Sequence, residues 1–155
     1  MSEHPVTVAD RDDLWVGEDV IDVGRVAGTL EDESLGGVAV FIGRVRSPNH
    51  GKTVAYLEYE GYDAMVLTVM ASIAADLRAA HTGAAQTGAA HPGASHGAAP
   101  DPLLVAIHHR LGRLRPGEVS LVVAVASAHR ATALAACAAA VEDVKRGLPI
   151  WKLEV

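Results

Sequence analysis

Two lysines near the end of the chain lie on either side of a predicted helix end. Lys145 closes a predicted helix that Gly147 and Pro149 end, and Lys152 follows in the stretch "RGLPIWKLEV". A lysine can neutralise an anion or stabilise an oxyanion, and with a lowered pKa it can serve as acid, base or nucleophile. The alternative is two solvated charges, with Lys145 stabilising the helix end through its dipole.

Cationic groups also adjoin structural breaks at two other places. In "GRVRSPNHGK", Arg44 and Arg46 are predicted to point the same way at a strand end, before a Gly-containing turn. In "SAHRA", His129 and Arg130 occupy a predicted first helical turn, where free backbone N–H groups favour an anion. Solvated arginines and a packed or capping histidine are the alternatives. Together the three places predict a small anion-binding enzyme or binding domain.

Composition excludes several classes of function. The 155 residues are 50% hydrophobic, which suits one domain with a core, and the net charge of −6 argues against a broad nucleic-acid surface. Cys137 is the one cysteine, so an internal disulfide is excluded. The acidic N-terminus lacks the basic segment followed by an apolar segment that is typical of a signal peptide. The longest wholly apolar runs are far shorter than a membrane span. We expect a soluble cytoplasmic protein.

A repetitive stretch interrupts the chain at residues 81–101, which read "HTGAAQTGAAHPGASHGAAPD". It has no apolar period, so we predict a flexible Ala/Gly/His-rich insert within a single domain spanning 1–155. His81, His91 and His96 invite a metal interpretation, but their spacing is loose and no cysteine lies among them. We expect neither a metal site nor a cofactor.

The remaining chain predicts an α+β fold with mainly antiparallel sheet, because strands occur in pairs with short connections. The predicted strands are "HPVTVAD", "VAVFIGRVR" (an interior strand), "TVAYLEYEGY" (antiparallel to the previous one), "PLLVAIHHRLG", "VSLVVAVAS" and "PIWKLEV".

Three helices are predicted between these strands. The first covers "GEDVIDVGRVAGTLEDES". The second is capped by Asp63 and carries an apolar stripe of Val66, Val69, Met70, Ile73 and Leu77. The third is "AHRATALAACAAAVEDVKRG", capped by Ser127, with an inner face of Leu134, Ala138, Val141 and Val144.

The segments "GGVAVFIGRVRSPNHGKTVAYLEYEGYDAM" and "IHHRLGRLRPGEVSLVVAVASAHRATALAACAAAVEDVKRGLPIWKLE" resemble the large, catalytic subunit of molybdopterin synthase, the MoaE family. The likeness covers roughly residues 36–80 and 103–154. It rests on "GRVR", "SAHR" and "K-x-x-x-P-x-W-K" occurring in this order.

The resemblance implies an α/β-hammerhead fold and a sulfurtransferase. That family inserts two sulfurs into cyclic pyranopterin monophosphate to form the dithiolene of molybdopterin, the step that serves molybdenum cofactor biosynthesis. The sulfur arrives as a thiocarboxylate on the C-terminal Gly-Gly of a small ubiquitin-like subunit. The assembly is a heterotetramer built on a central homodimer.

The resemblance also implies residue roles. Lys145 and Lys152 match the lysines tied to catalysis, with Lys145 favoured for the chemical step and Lys152 for positioning. The substrate-binding positions comprise both lysines and Arg44, Val45, Arg46, His129, Arg130, Leu153 and Glu154.

One inference concerns how these residues meet. His129 and Lys145 lie sixteen residues apart on one predicted helix, about 24 Å at the α-helical rise. We therefore expect a shared site, with His129 and Arg130 supplied by the dimer mate of the protomer that supplies Arg46, Lys145 and Lys152.

Two departures and two alternatives accompany the resemblance. The family usually continues past "WK" with a charged tail, so we expect any contact from that tail to be missing here. The histidine-rich insert is also longer than the family needs. We see no ubiquitin-like segment or Gly-Gly terminus, so we expect the small subunit to be a separate chain. The alternatives are a non-catalytic pterin-phosphate-binding or scaffold homologue, and a metal-handling protein that uses the histidine-rich insert.

Overall fold

The computed structural model describes residues 8–82 and 102–155. A 3-10 turn at Val8–Arg11 precedes seven strands and three helices in these ranges. The strands are β1 (Asp13–Gly17), β2 (Gly37–Arg44), β3 (Leu57–Gly61), β4 (Leu103–Arg110), β5 (Gly112–Leu114), β6 (Val119–Ser127) and β7 (Ile150–Glu154). The helices are α1 (Val23–Gly28), α2 (Asp63–His81) and α3 (Arg130–Gly147).

A four-stranded sheet in the order β1-β4-β6-β2 forms the centre of the fold. β1 runs parallel to β4, and the other two pairings are antiparallel. β4 and β6 are buried on both faces, as their continuous apolar sequences predict. Residues of α2 and α3 cover one face and α1 covers the other, so the main core lies between the sheet and the two long helices.

A second, three-stranded sheet in the order β5-β3-β7 is entirely antiparallel. The predicted α+β class with mainly antiparallel sheet is therefore confirmed. The predicted pairing of β3 with β2 is wrong. After β2 the chain leaves the main sheet and enters the second sheet at β3. Along this path it packs into a third apolar cluster, which consists of Val45, Val54, Leu57 and Leu114.

The start of the chain differs from its prediction. Val8–Asp10 of the predicted strand "HPVTVAD" belong to the 3-10 turn, residues 4–7 lie outside the described ranges, and the first strand begins at Asp13. The predicted first helix is shortened to α1, where the side chain of Asp22 accepts a hydrogen bond from the Arg25 N–H at 3.0 Å. This cap fixes the helix start, so the residues before Asp22 remain outside the helix.

α2 confirms its predicted apolar stripe. Val66, Met70, Ile73 and Leu77 are buried and Val69 packs against them. Tyr62, rather than Asp63, occupies the cap position, and Asp63 is the first helical residue, where its charge suits the helix dipole. By length and composition alone α2 would also pass as a membrane span. Its buried stripe instead marks it as a core helix.

Helix α2 extends to His81, which the sequence predicts to lie in the insert. The rest of that insert, with His91 and His96, lies at residues 83–101, outside the described ranges.

Two predictions of burial are wrong. β2 is an edge strand, and Val38, Val40, Phe41 and Ile42 are exposed although an interior strand was predicted. On α3, Leu134 is 63% exposed. The buried face consists of Thr132, Ala133, Ala136, Cys137, Ala140 and Val144, so only Val144 of the predicted inner face is fully buried. The exposed residues of β2 and α3 together line an apolar groove.

Candidate functional site

The two lysines lie at the junction between α3 and the second sheet. Lys145 is in the last turn of α3, the helix ends at Gly147 with Leu148 as its cap residue, and β7 begins at Ile150. Lys152 then sits opposite Tyr59 in the β3–β7 register. Burial lowers the pKa of Lys145, and the positive charge of Lys152 lowers it further. The turn at Pro149 thus brings the two ammonium groups within electrostatic reach of each other.

A chain of side-chain contacts ties Lys152 to the turn after β2. Lys152 Nζ lies 2.8 Å from Glu154 Oε1, and Asn49 Nδ2 donates to the same oxygen at 2.6 Å. Arg46 donates in turn to Asn49 Oδ1 at 3.1 Å. The hydrogen bond from Lys152 is the largest cause of a lowered pKa at Glu154. Three predicted site residues, Arg46, Lys152 and Glu154, are therefore brought together through a residue that was not predicted.

The sequence does not single out Asn49, because its segment, "SPNHGK", has the composition of a simple turn. It is 9% exposed, and its backbone N–H and C=O both pair with Lys52 at 2.9 Å. His50 and Gly51 adopt positive φ values of 48° and 77°. These conformations close the turn, and the side-chain amide of Asn49 then spans from Arg46 to β7.

The other predicted residues of this region occupy different positions. Arg44 donates to the Gly117 carbonyl at 3.1 Å, so its guanidinium contacts the β5–β6 turn, whereas that of Arg46 contacts Asn49. Val45 is 3% exposed within the third apolar cluster, and its backbone N–H and C=O bond to Glu118 and Gly117. Leu153 is exposed on β7, as is its neighbour Trp151.

His129 and Arg130 lie at the opposite end of α3. His129 is the cap residue and Arg130 begins the helix, whereas the predicted cap, Ser127, ends β6. Gly36 and Gly37 allow this end of α3 to approach β2. A Cβ on Gly36 would lie 2.5 Å from the Ala128 carbonyl oxygen, and one on Gly37 would lie 3.3 Å from Arg130 Cα. Within one chain, α3 therefore separates the "SAHR" residues from the lysine pair by its whole length.

His109, a second residue that sequence analysis did not single out, lies near the lysine pair. It is 6% exposed at the end of β4, and its ring meets the edge of Tyr59 at a centroid distance of 5.2 Å. Burial lowers its pKa to about 4, and the charge of Lys145 acts in the same direction. The imidazole is therefore neutral at physiological pH.

A separate cavity of about 300 Å³ opens on the other face of the main sheet, lined by Trp15, His108, Asp13 and residues of the α1 region. His108 Nε2 lies 2.9 Å from Asp13 Oδ2, and the two aromatic rings are 5.6 Å apart. In residues 8–82 and 102–155, no group of three or more His, Cys, Asp or Glu side chains is arranged to hold a metal.

Comparisons of sequence and of structure relate this chain to the same family of proteins. The family profile described as MoaE protein matches residues 16–147. Molybdopterin synthase catalytic subunit 1 of Aedes aegypti is 37% identical over 136 residues, which cover 88% of this chain and 76% of that protein. The molybdopterin synthase catalytic subunit of a Nostoc species is 39% identical over 130 residues, 84% of this chain and 68% of that protein.

Solved structures agree with these relatives. Molybdopterin synthase from Staphylococcus aureus superposes with a TM-score of 0.75 at 28% identity, covering 94% of this chain and 90% of that one. A Helicobacter pylori complex of subunits 1 and 2 of molybdopterin-converting factor shares the fold, with a TM-score of 0.66 at 19% identity, covering 91% and 83%. On these grounds, this chain belongs to the MoaE family.

Proposed function

We propose that this protein is the catalytic subunit of a molybdopterin synthase. It transfers two sulfurs from the thiocarboxylated C-terminus of a small ubiquitin-like subunit to cyclic pyranopterin monophosphate and so forms the dithiolene of molybdopterin. The observation that carries this proposal is the electrostatic coupling of Lys145 and Lys152 at one end of α3 in a chain of the MoaE family. A non-catalytic homologue is not favoured, because the lysine pair is intact and one member has a lowered pKa.

The two lysines take different roles. Burial of its ammonium group and the neighbouring charge of Lys152 lower the pKa of Lys145, a direction that suits an acid–base or nucleophilic role at the reacting carbonyl. Lys152 forms an ion pair with Glu154, whose Oε1 lies 2.8 Å from its Nζ. It is therefore suited to hold an anion, either the substrate phosphate or the thiocarboxylate of the partner tail, and to stabilise the oxyanion.

Arg46 extends this cationic surface. Its guanidinium is oriented by Asn49, which also fixes Glu154, so the positions of Arg46 and Lys152 depend on one another. A planar guanidinium binds a phosphate in a bidentate manner. Arg44, Val45 and Leu153 complete the proposed binding set, with Val45 acting through the placement of its neighbours.

A small partner subunit would dock beside β7. In the order β5-β3-β7 this strand forms an edge of its sheet, and it exposes Trp151 and Leu153, with the exposed Val155 directly after it. Exposed aromatic and aliphatic side chains are typical anchors of protein interfaces. The Helicobacter pylori relative, described as a complex of two subunits, supports such a partner. The interface would deliver the anionic tail directly to Lys152.

A homodimer would cover the apolar groove between β2 and α3. Val38, Val40 and Phe41 of the edge strand and Leu134 of α3 line this groove and are exposed. A second copy of the chain would bury them and would also supply His129 and Arg130 to the neighbouring lysine pair. The heterotetramer then comprises two catalytic subunits and two small subunits, and we place it in the cytoplasm.

Reconstitution tests the proposal. The purified protein, a thiocarboxylated small subunit and cyclic pyranopterin monophosphate are combined, and the dithiolene product is detected after oxidation to its fluorescent derivative. Product should form only when all three are present and the small subunit carries the thiocarboxylate. Absence of product with a partner that binds this chain tightly would favour the non-catalytic alternative.

A further inference from the structure

Lys152, which the proposed reaction uses to hold an anion, already has an anion beside it. Its Nζ lies 2.8 Å from Oε1 of Glu154, two residues further along β7. Side chains two residues apart on a strand share a face, so Lys152 and Glu154 point to the same side of the second sheet. The position that would receive a phosphate or a thiocarboxylate therefore holds a carboxylate from the chain itself.

A second contact fixes the carboxylate of Glu154 in this place. Asn49 Nδ2 donates to the same Oε1 at 2.6 Å, and Asn49 is only 9% exposed. The hydrogen bond from Lys152 is the largest cause that lowers the pKa of Glu154, so the carboxylate is ionised at neutral pH. Two hydrogen bonds to one ionised oxygen make Glu154 a fixed anion of the site rather than a mobile surface charge.

The ion pair is nonetheless open to exchange with other anions. The side chains of Lys152 and Glu154 are 45% and 35% exposed. An ion pair at such a position contributes little net free energy, because water solvates both charges when they separate. An anion present at high local concentration can therefore displace Glu154 from Lys152, whereas a dilute anion cannot.

The surface proposed for the small partner subunit adjoins this carboxylate. Leu153 and Val155 flank Glu154 in the sequence and are exposed, and Leu153 points to the opposite face of β7. An anionic tail tethered to a partner docked there reaches an effective concentration on the order of millimolar near Lys152. A free small anion gains nothing from docking and has to compete with Glu154 at its bulk concentration.

We propose that Glu154 is a specificity-determining residue that competes with incoming anions for Lys152. This inference rests on the proposed role of Lys152 in holding an anion. The carboxylate discriminates against free small anions and is displaced by an anion that is tethered to a docked partner. Removing its charge should therefore strengthen the binding of a free anion such as inorganic phosphate.

Titration with inorganic phosphate tests the inference without relying on turnover. The backbone amide signals of β7 are followed by NMR at constant ionic strength, and the phosphate concentration at half-saturation is compared between proteins. Glu154→Gln keeps an oxygen that can accept from Asn49 and Lys152 but lacks the negative charge. Lys152→Gln removes the group for which phosphate and Glu154 are proposed to compete, so it should lose the response.

Glu58→Gln is the matched control on the neighbouring strand. Glu58 lies opposite Leu153 in the β3–β7 register, so its side chain is on the face of the sheet away from Lys152. Its carboxylate is 3.7 Å from a cation, Arg113, and its side chain is 35% exposed, as is that of Glu154. The control therefore removes the same charge at the same exposure but from the other face.

We expect the half-saturating phosphate concentration to fall about two- to fivefold in Glu154→Gln and to stay unchanged in Glu58→Gln. If Glu154→Gln does not fold, Glu154→Ala removes the same charge and carries the test. An unchanged or higher concentration in the folded Glu154 variant overturns the inference. An equal fall in Glu58→Gln, or a response that persists in Lys152→Gln, overturns it as well.

Turnover separates this inference from the proposed function. In the dithiolene assay, added phosphate should inhibit Glu154→Gln at a concentration about two- to fivefold lower than it inhibits the wild type. A phosphate shift in the titration without dithiolene formation by any of these proteins, the wild type included, would uphold the competition and overturn the proposed function. Normal turnover without the phosphate shift would overturn the competition and uphold the function.

Discussion

The side-chain amide of Asn49 donates a 2.6 Å hydrogen bond to Glu154 Oε1 and joins two parts of the chain 105 residues apart. The same carboxylate oxygen accepts from Lys152, and the amide oxygen of Asn49 accepts from Arg46. Asn49 thus connects the cation after β2 to the cation on β7. The proposed anion site depends on this one buried amide for its geometry.

Replacing Asn49 with alanine should make the side chains of Arg46 and Lys152 more mobile. We expect KM for the pterin substrate to rise severalfold, with a smaller effect on kcat, because binding rather than the chemical step depends on Arg46 and Lys152. Stability should fall by about 1–3 kcal/mol, since the bonds to Arg46 and Glu154 are lost from a buried position. Steady-state kinetics and urea denaturation measure both effects. Lys52→Ala in the same turn is the control, and an equal rise of KM in that variant would contradict a specific role for Asn49.

Replacing Lys152 with glutamine should raise the pKa of Lys145. The positive charge of Lys152 disfavours the ammonium form of Lys145, so removing that charge should move the pKa of Lys145 back toward the ordinary value for lysine. When trace acetic anhydride labels the protein over a range of pH, the midpoint of Lys145 acetylation, read by mass spectrometry, should move to higher pH. Arg146→Gln, which removes a charge from the same helical turn, should leave it in place. A midpoint unaffected by Lys152→Gln would show that the two lysines are not coupled in solution.

His109 should make the protein less stable in acid. Its folded pKa of about 4 lies below the ordinary value of 6.5, so the unfolded chain binds a proton that the folded chain does not. The neutral ring contributes fully to the free energy of unfolding above pH 6.5, and this contribution is lost as the pH falls toward 4. The loss amounts to about 3 kcal/mol. Chemical denaturation across this window should show a shallower pH dependence for His109→Gln than for the wild type. Equal slopes would mean that His109 is protonated in the folded state.

A shared site should allow complementation between inactive variants. Lys145→Ala and His129→Ala, mixed under conditions of subunit exchange, should regain about a quarter of wild-type turnover at equal amounts, because half of the dimers are hybrids and each hybrid holds one intact site. Val40→Asp, within the exposed groove, should block dimer formation and with it the recovery. Failure to recover activity despite confirmed exchange would place each complete site within one protomer.

The errors of sequence-based prediction share a physical cause in β2 and α3. The continuous apolar run of β2 indicates that both faces are to be covered, but it cannot specify whether by its own chain or by another. α3 is so rich in alanine that its larger residues, Leu134 and Val141, seemed to mark the inner face. The structure buries the alanines there, because small side chains let α3 lie close to β2 and β6. The residues that misled the prediction line the proposed dimer groove.

The site itself was predicted in part. Lys145 and Lys152 could be related from sequence, because Pro149 fixes where the helix ends and how soon the strand begins. Asn49 and His109 could not be found in this way. Asn49 contacts Glu154 of β7 and His109 contacts Tyr59 of β3, and the long-range pairing of those strands is not encoded in any local pattern. A buried polar residue between segments distant in sequence becomes visible only in the folded chain.

Single-turnover sulfur transfer by Lys145 variants tests the central claim most directly. With a thiocarboxylated partner and cyclic pyranopterin monophosphate at saturating concentrations, Lys145→Ala and Lys145→Arg should each lose at least about a hundredfold in rate, because neither provides an amine of lowered pKa at this position. At partner concentrations below saturation, Lys152→Ala should also be impaired, through weaker binding of the anionic tail. Normal rates in both Lys145→Ala and Lys152→Ala, with partner binding intact, would contradict the assignment of this lysine pair as the catalytic centre.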